Sequence, residues 1–170
     1  MTTREEAIET LERGHREIRT LIKRIPPHWM ARPGVGGGDW TPKDLLGHLC
    51  SWEEKVLEAL AAWEAGERAP IDRDIYSSSI GAINAEGVRR RSRHTLARVQ
   101  RDWDNVHGAL IRAIRSMPDA RWENPATSRG RKSLGHRVGQ LLVGAGPFGH
   151  AEAHVRDLES FVESIPEGER

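Results

Sequence analysis

A single cysteine, Cys50, rules out an internal disulfide framework and any thiolate cluster, so a metal site in this chain has to be built from imidazole and carboxylate. No apolar run approaches the roughly 18 to 20 residues that a bilayer span needs. The mean hydropathy is -0.62, and the opening Met-Thr-Thr-Arg-Glu-Glu lacks the apolar stretch of a secretory signal. Those absences predict a soluble, cytoplasmic protein with no membrane partner. An excess of charge is missing too. With 26 Lys and Arg against 25 Asp and Glu, the formal charge is +1, and the electrostatic footprint of a dedicated nucleic-acid binder is not there. Residues that favour strands never alternate with period two over a useful length. The 170 residues are enough for one domain, spanning 1–170, with a core that needs no staples.

What is there repeats with the period of a helix. Ile8, Leu11, His15, Ile18, Ile22 and Ile25 form one stripe, closed by Pro26-Pro27. A second helix is predicted from Thr41-Pro42-Lys43-Asp44, where Thr41 caps, Pro42 fits the first turn and Asp44 bonds back. Its inward face carries Leu45, His48, Leu49, Trp52, Val56, Leu60 and Trp63, until Gly66 stops it. Leu96, Val99, Trp103, Val106, Leu110, Ile114 and Met117 make a third stripe, ended by Pro118. After a polar loop, a fourth helix begins near Leu134, Val138 and Leu141, but His150, His154, Leu158 and Phe161 follow a different phase. Gly144-Ala145-Gly146-Pro147 lies at the phase change and predicts a kink or restart there.

These patterns predict an all-α fold, a four-helix bundle. Residues 67–87 carry Pro70, three serines in a row and scattered Ile71, Ile75, Tyr76 and Ile80, which read as a pinned crossover. At about 3.3 Å per residue it is long enough to span the bundle and let the second and third helices run parallel. The glycine-rich Pro33–Gly38 stretch is no phosphate loop, since no strand precedes it and the Lys-Ser/Thr pair is missing.

His150 and His154 stand four residues apart, one above the other on a helix, close enough to share one metal ion. A pair at this spacing also occurs as a solvated face or as hydrogen-bonded core residues. Leu158 and Phe161 continue the same face and make it a buried one, and buried imidazoles need partners. His48, on the inward face of the second helix, is the third nitrogen that can reach them across the core. Three imidazoles leave a fourth position open, which is the pattern of catalytic rather than structural zinc. Such a set also suits nickel, copper or iron.

Trp40-Thr41-Pro42-Lys43-Asp44-Leu45-Leu46-Gly47-His48-Leu49 followed by Trp52-Glu53, the Ile83-Asn84-Ala85 stretch and the His150/His154 pair together resemble the DinB-like superfamily. Within it the likeness is greatest to the ClbS/DfsB-type proteins. The resemblance covers most of the chain, with the helix-2 motif and the late histidine pair as its specific parts. Related branches include YfiT-type thiol S-transferases and the amino-terminal domain of mycothiol-dependent maleylpyruvate isomerase. It implies an up-down-down-up bundle with a long crossover between helices 2 and 3, a divalent metal (zinc, nickel or iron) on His48, His150 and His154, and a homodimer. It also implies a small-molecule substrate, a small electrophile attacked by water in a hydrolase or by a low-molecular-weight thiol in a transferase. The alternative it implies is a ClbS-like protein that binds or sequesters a toxic metabolite or genotoxin without metal.

Glu53, one turn beyond His48 and next to Trp52, is the candidate for orienting a ligand or acting as a base. His15 and His107 fall in or beside the core stripes, Cys50 faces away from His48, and Trp52, Trp63 and Trp103 read as packing. Arg89, Arg90, Arg91 and Arg93 are expected at the start of the third helix, and Arg129, Arg131 and Lys132 before the fourth. Either group reads as a solvated face, or the two together as an anion-holding patch if they converge.

Overall fold

The computed structural model describes residues 2–128 and 130–169, and every regular element among them is helical apart from three isolated bridges. Four long spans make the frame: α1 (Arg4–Ile22), α2 (Pro42–Glu64), α5 (Leu96–Arg115) and the pair α8 (His150–Ala153) and α9 (Val155–Ser164). Between them lie α3 (Pro70–Ser77), α4 (Ile80–Arg91), α6 (Asp119–Glu123) and α7 (Leu134–Leu141). The starts are written in the sequence. Thr3 with Glu6 and Thr41 with Asp44 each form a reciprocal capping box, which satisfies two of the amide groups a helix leaves open.

Cross-helix contacts give the directions. Arg4 reaches the carbonyl of Met117 while His15 meets Asp104, so α1 and α5 run oppositely. Lys43 bonds the Ser92 carbonyl and Glu53 meets His107, so α2 and α5 run the same way. Arg13 pairs with Glu152 and His28 with Glu169, so α1 and α9 run the same way. An up-down-down-up order requires these pairings.

The core has two clusters stacked along the bundle. One packs Ile8, Leu11, Val56, Trp63, Leu110, Ile114, Trp122 and Phe148, and the other packs Ile18, Leu45, Leu46, Leu49, Val99, Trp103, Leu158 and Phe161. Where one cluster gives way to the other, each long helix contributes a polar side chain: His15 from α1, His48 and Glu53 from α2, His107 from α5 and His150 from α8. The waist of the bundle is therefore polar. Burying such groups is costly unless they pair with one another, and that requirement fixes where each side chain goes.

Three expectations are corrected. The crossover is not extended chain but two helices: Pro70 occupies the first turn of α3, and the Ser79 hydroxyl accepts from the Ala82 amide to start α4. Of its apolar residues Ile71 is buried, but Ile75, Tyr76 and Ile80 are exposed rather than pinned. Arg89, Arg90 and Arg91 do not open the third long helix; they close α4, where positive charge suits the carbonyl end. Within that group Arg91 pairs with Glu54, and Arg89 and Arg90 pair with Glu86. Arg129 lies outside the described residues. The polar loop after the third long helix holds the short α6, anchored by buried Trp122.

The fourth span breaks after Leu141 and restarts at His150. Phe148 sits at a φ of 65°, a left-handed conformation that costs a non-glycine residue energy. Its ring is held in place by Trp122, with centroids 5.7 Å apart, and by the bare face of Gly139, where a Cβ would come within 2.9 Å of it.

Candidate metal centre

His48 comes from the second turn of α2, and His150 opens α8 four residues before His154. One ligating atom from each lies within 4.8 Å of the other two, and His48 Nε2 is 2.9 Å from His150 Nε2. A tetrahedral cation with bonds of about 2.0 to 2.1 Å spaces its nitrogens roughly 3.3 Å apart, so the observed spacings bracket what one ion needs. The rings meet edge to face, with centroids 4.8, 5.3 and 5.4 Å apart.

Burial sets their protonation. It holds the His48 imidazole down to about 2 and the His150 imidazole to about 3, with the neighbouring imidazoles adding to the shift, and it lowers His154 as well. All three are neutral near pH 7, the form that offers a lone pair to a metal. The His48 Nδ1 atom is buried with no hydrogen-bond partner. His154 Nδ1–H donates to Asp157 Oδ2 over 3.3 Å, which leaves its Nε2 unprotonated and fixes the ring. Three neutral nitrogens converging at one point, with one ring oriented by a carboxylate, fit a divalent cation.

The backbone before His150 is built to bring it here. Gly144 packs against the next turn so closely that a Cβ on it would lie 2.5 Å from the Gly149 carbonyl oxygen and 2.8 Å from His150 Cα. The triad opens into a cavity of about 290 Å³ walled by Trp40 and Trp52, with Asn84 and Gln140 as its polar side chains. The Trp40 ring lies 4.7 Å from that of His48 and the Trp52 ring 6.0 Å from that of His150.

A sequence model of the DinB superfamily matches residues 3–145. The chain belongs to the DinB superfamily. A search of curated proteins finds no significant match. Among solved structures, an uncharacterised protein from Escherichia coli UTI89 superposes with a TM-score of 0.79 at 14% identity, over 96% of this chain and 94% of that one. The colibactin self-resistance protein ClbS, solved in complex with double-stranded DNA, gives 0.76 at 14% identity over 98% and 99%. A protein from Streptococcus pneumoniae gives 0.66 at 15% identity over 96% and 88%. At such identities the likeness is one of fold.

In this DinB-superfamily chain the other expected site residue, Glu53, goes elsewhere. It is buried at the waist, where its carboxylate accepts from His107 Nδ1 at 3.2 Å and from Trp103 Nε1 at 3.4 Å, and it does not line the triad's cavity. His107 stacks on His15, with ring centroids 4.1 Å apart and planes within 9°. Burial first, then His107, pull the His15 imidazole down to about 4, so its contact with Asp104 is a neutral ring donating to a carboxylate. Cys50 is buried in the core, and burial pushes its thiol up to about 12, so it is no nucleophile.

The sequence reading missed Asn84 and Gln140 as cavity residues, and it took Trp52 for packing alone. A helical wheel carries part of the signal. Trp52 lies four residues from His48, about 40° around the helix, whereas Glu53 lies five residues away, about 140° around. Among the described residues no helix is long and apolar enough to cross a membrane.

Proposed function

We propose that this chain holds a divalent cation, zinc, nickel or iron, on His48, His150 and His154 and acts on a small electrophile, as a hydrolase or a thiol S-transferase. The observation that carries this reading is the convergence of three ligating nitrogens within 4.8 Å at a cavity of about 290 Å³. A bound cation would supply Lewis acidity, making a water or thiol acidic enough to attack near neutral pH. The chain's own residues do the rest. Burial keeps the imidazoles unprotonated, Asp157 fixes the tautomer of His154, and Trp40 and Trp52 wall the space beside the rings. Elemental analysis of protein purified without a histidine tag tests it. Near-stoichiometric metal, lost in His48→Ala and in His154→Ala, supports the reading, and metal-free wild-type protein defeats it. A low-molecular-weight thiol that raises the melting temperature of the metal-loaded protein would favour transfer over hydrolysis.

The second reading is a binding or sequestration protein in the manner of ClbS. It draws on the fold likeness over 98% of this chain and on the 2.9 Å His48–His150 contact, which holds two of the rings without an ion. Metal-free protein with an intact fold supports it. Because the relative was solved with DNA, binding to duplex DNA at two salt concentrations belongs to the same test; contact with phosphate would weaken steeply as salt rises. The homodimer that the family resemblance implies is checked by sedimentation of the same sample.

A further inference from the structure

We propose that the cavity over the triad takes an uncharged, largely apolar molecule carrying a hydrogen-bond acceptor such as a carbonyl or ether oxygen, and that it discriminates against carboxylate-bearing low-molecular-weight thiols. The proposal deepens the function proposed above, resting on it only for what happens at the three histidines.

The lining carries the argument. Among the described residues that form it there is no Lys, Arg, Asp or Glu, so an anionic ligand would meet no countercharge from the walls. A carboxylate moved out of water without a partner is heavily penalised. The mouth is lined by large aliphatic side chains. Ile75 at the end of α3, Ile80 at the start of α4 and Val143 in the break before α8 are 43%, 48% and 59% exposed, and all three line this one cavity. Single exposed aliphatic side chains are ordinary, but three converging on a concave site with two tryptophans inside it mark a place for apolar surface.

The two amides set the polarity of the contact. The indole Nε1 of Trp52 can only donate, so the Asn84 atom 2.8 Å from it is Oδ1 acting as acceptor. The ammonium of Lys132 can only donate as well, and it takes Gln140 Oε1 at 3.1 Å. Each amide oxygen already accepts one hydrogen bond within the protein, and the groups Asn84 and Gln140 offer a ligand most readily are their N–H donors. A ligand that accepts hydrogen bonds satisfies them. In the hydrolase and transferase versions alike, the reacting molecule is then a neutral electrophile with an apolar body. A tripeptide thiol such as glutathione brings two carboxylates, for which these walls hold amide donors but no countercharge.

The test uses the full-length chain treated with a chelator, so that no cation can hold a carboxylate, and equilibrium dialysis against three probes: 2-acetylnaphthalene, 2-naphthoate and reduced glutathione. The ketone is expected to bind at one site at least about tenfold tighter than the naphthoate, a difference of about 1.4 kcal/mol, with no glutathione binding in the same range. Val143→Asp and Ile80→Asp, at positions exposed enough to leave the fold intact by circular dichroism, are expected to weaken ketone binding by about tenfold or more. Naphthoate or glutathione binding as tightly as the ketone would overturn the proposal, as would folded aspartate variants that keep full affinity. No ketone binding by the wild-type chain would also overturn it, and a dimer that Val143→Asp splits would then make the mouth a subunit contact. Metal-free protein as purified would defeat the metal-dependent reading alone, since ketone binding is measured without metal.

Discussion

His107 Nδ1 donates to Glu53 Oε1 over 3.2 Å inside the bundle, where both side chains are less than a tenth exposed. The same carboxylate accepts from Trp103, so one acid on α2 satisfies two donors on α5. It thereby ties together the two helices that run in the same direction. This makes Glu53 a group that holds the waist together, placed away from the triad's cavity. Glu53→Ala is expected to lower stability by about 2 to 4 kcal/mol, because two buried donors lose their acceptor. Metal content and triad geometry are expected to survive. Urea unfolding with elemental analysis of the folded variant checks both halves, and loss of metal at full stability would return Glu53 to the site.

Much of this arrangement is legible in the residues, and the parts that are not have physical reasons. The stripes of α1, α2 and α5 are long and strictly periodic, because each must bury one face along the whole bundle. The break in the fourth span is announced by its glycines and Pro147. The helices of the crossover are not legible as helices, because α3 buries only Ile71 and α4 only Ile83, Gly87 and Arg91. With so few buried positions no period emerges. The triad is readable from spacing, since His150 and His154 must share a face and His48 points inward. The destination of Glu53 depends on which neighbour each face of α2 meets, and that is a property of packing that a single helix does not carry.

Asp157 belongs to the triad through His154, whose Nδ1 lies 3.3 Å from its carboxylate. Removing the acceptor frees the ring to rotate and to exchange tautomers. Asp157→Ala is expected to reduce metal affinity by about 10- to 100-fold while leaving all three ligands present. The carboxylate is partly exposed, so little stability is expected to be lost. Metal competition with a chromophoric chelator measures the affinity, and an unchanged value would remove Asp157 from the site.

Gly144 links backbone packing to chemistry. A Cβ at this position would lie 2.8 Å from His150 Cα and 2.5 Å from the Gly149 carbonyl oxygen, both backbone atoms with no rotamer to escape into. Gly144→Ala is therefore expected to cost about 1 to 3 kcal/mol through overpacking and to push the start of α8 outward. His150 moves with it. Metal affinity is expected to fall while that of a control, Gly168→Ala, where no atom lies near the added Cβ and φ is not positive, stays at the wild-type level. A Gly144→Ala protein that binds metal normally would mean that the restart of the helix is not what positions His150.

The buried imidazoles make stability depend on pH in a direction that can be stated. His15 titrates at about 4 in the folded protein, below its ordinary value of 6.5, because burial and the stacked His107 disfavour its charged form. The unfolded chain therefore takes up a proton that the folded chain refuses. The contribution of His15 is fully present above about pH 6.5 and is lost as pH falls towards 4, with a slope of at most about 1.4 kcal/mol per pH unit for one proton. His15→Gln keeps an N–H for Asp104 but cannot titrate, so the slope of unfolding free energy between these limits is expected to drop by up to that amount. Urea titrations of metal-free protein at half-unit pH steps, wild type against variant, read the difference, and parallel curves would mean that His15 takes up its proton alike in the folded and unfolded states.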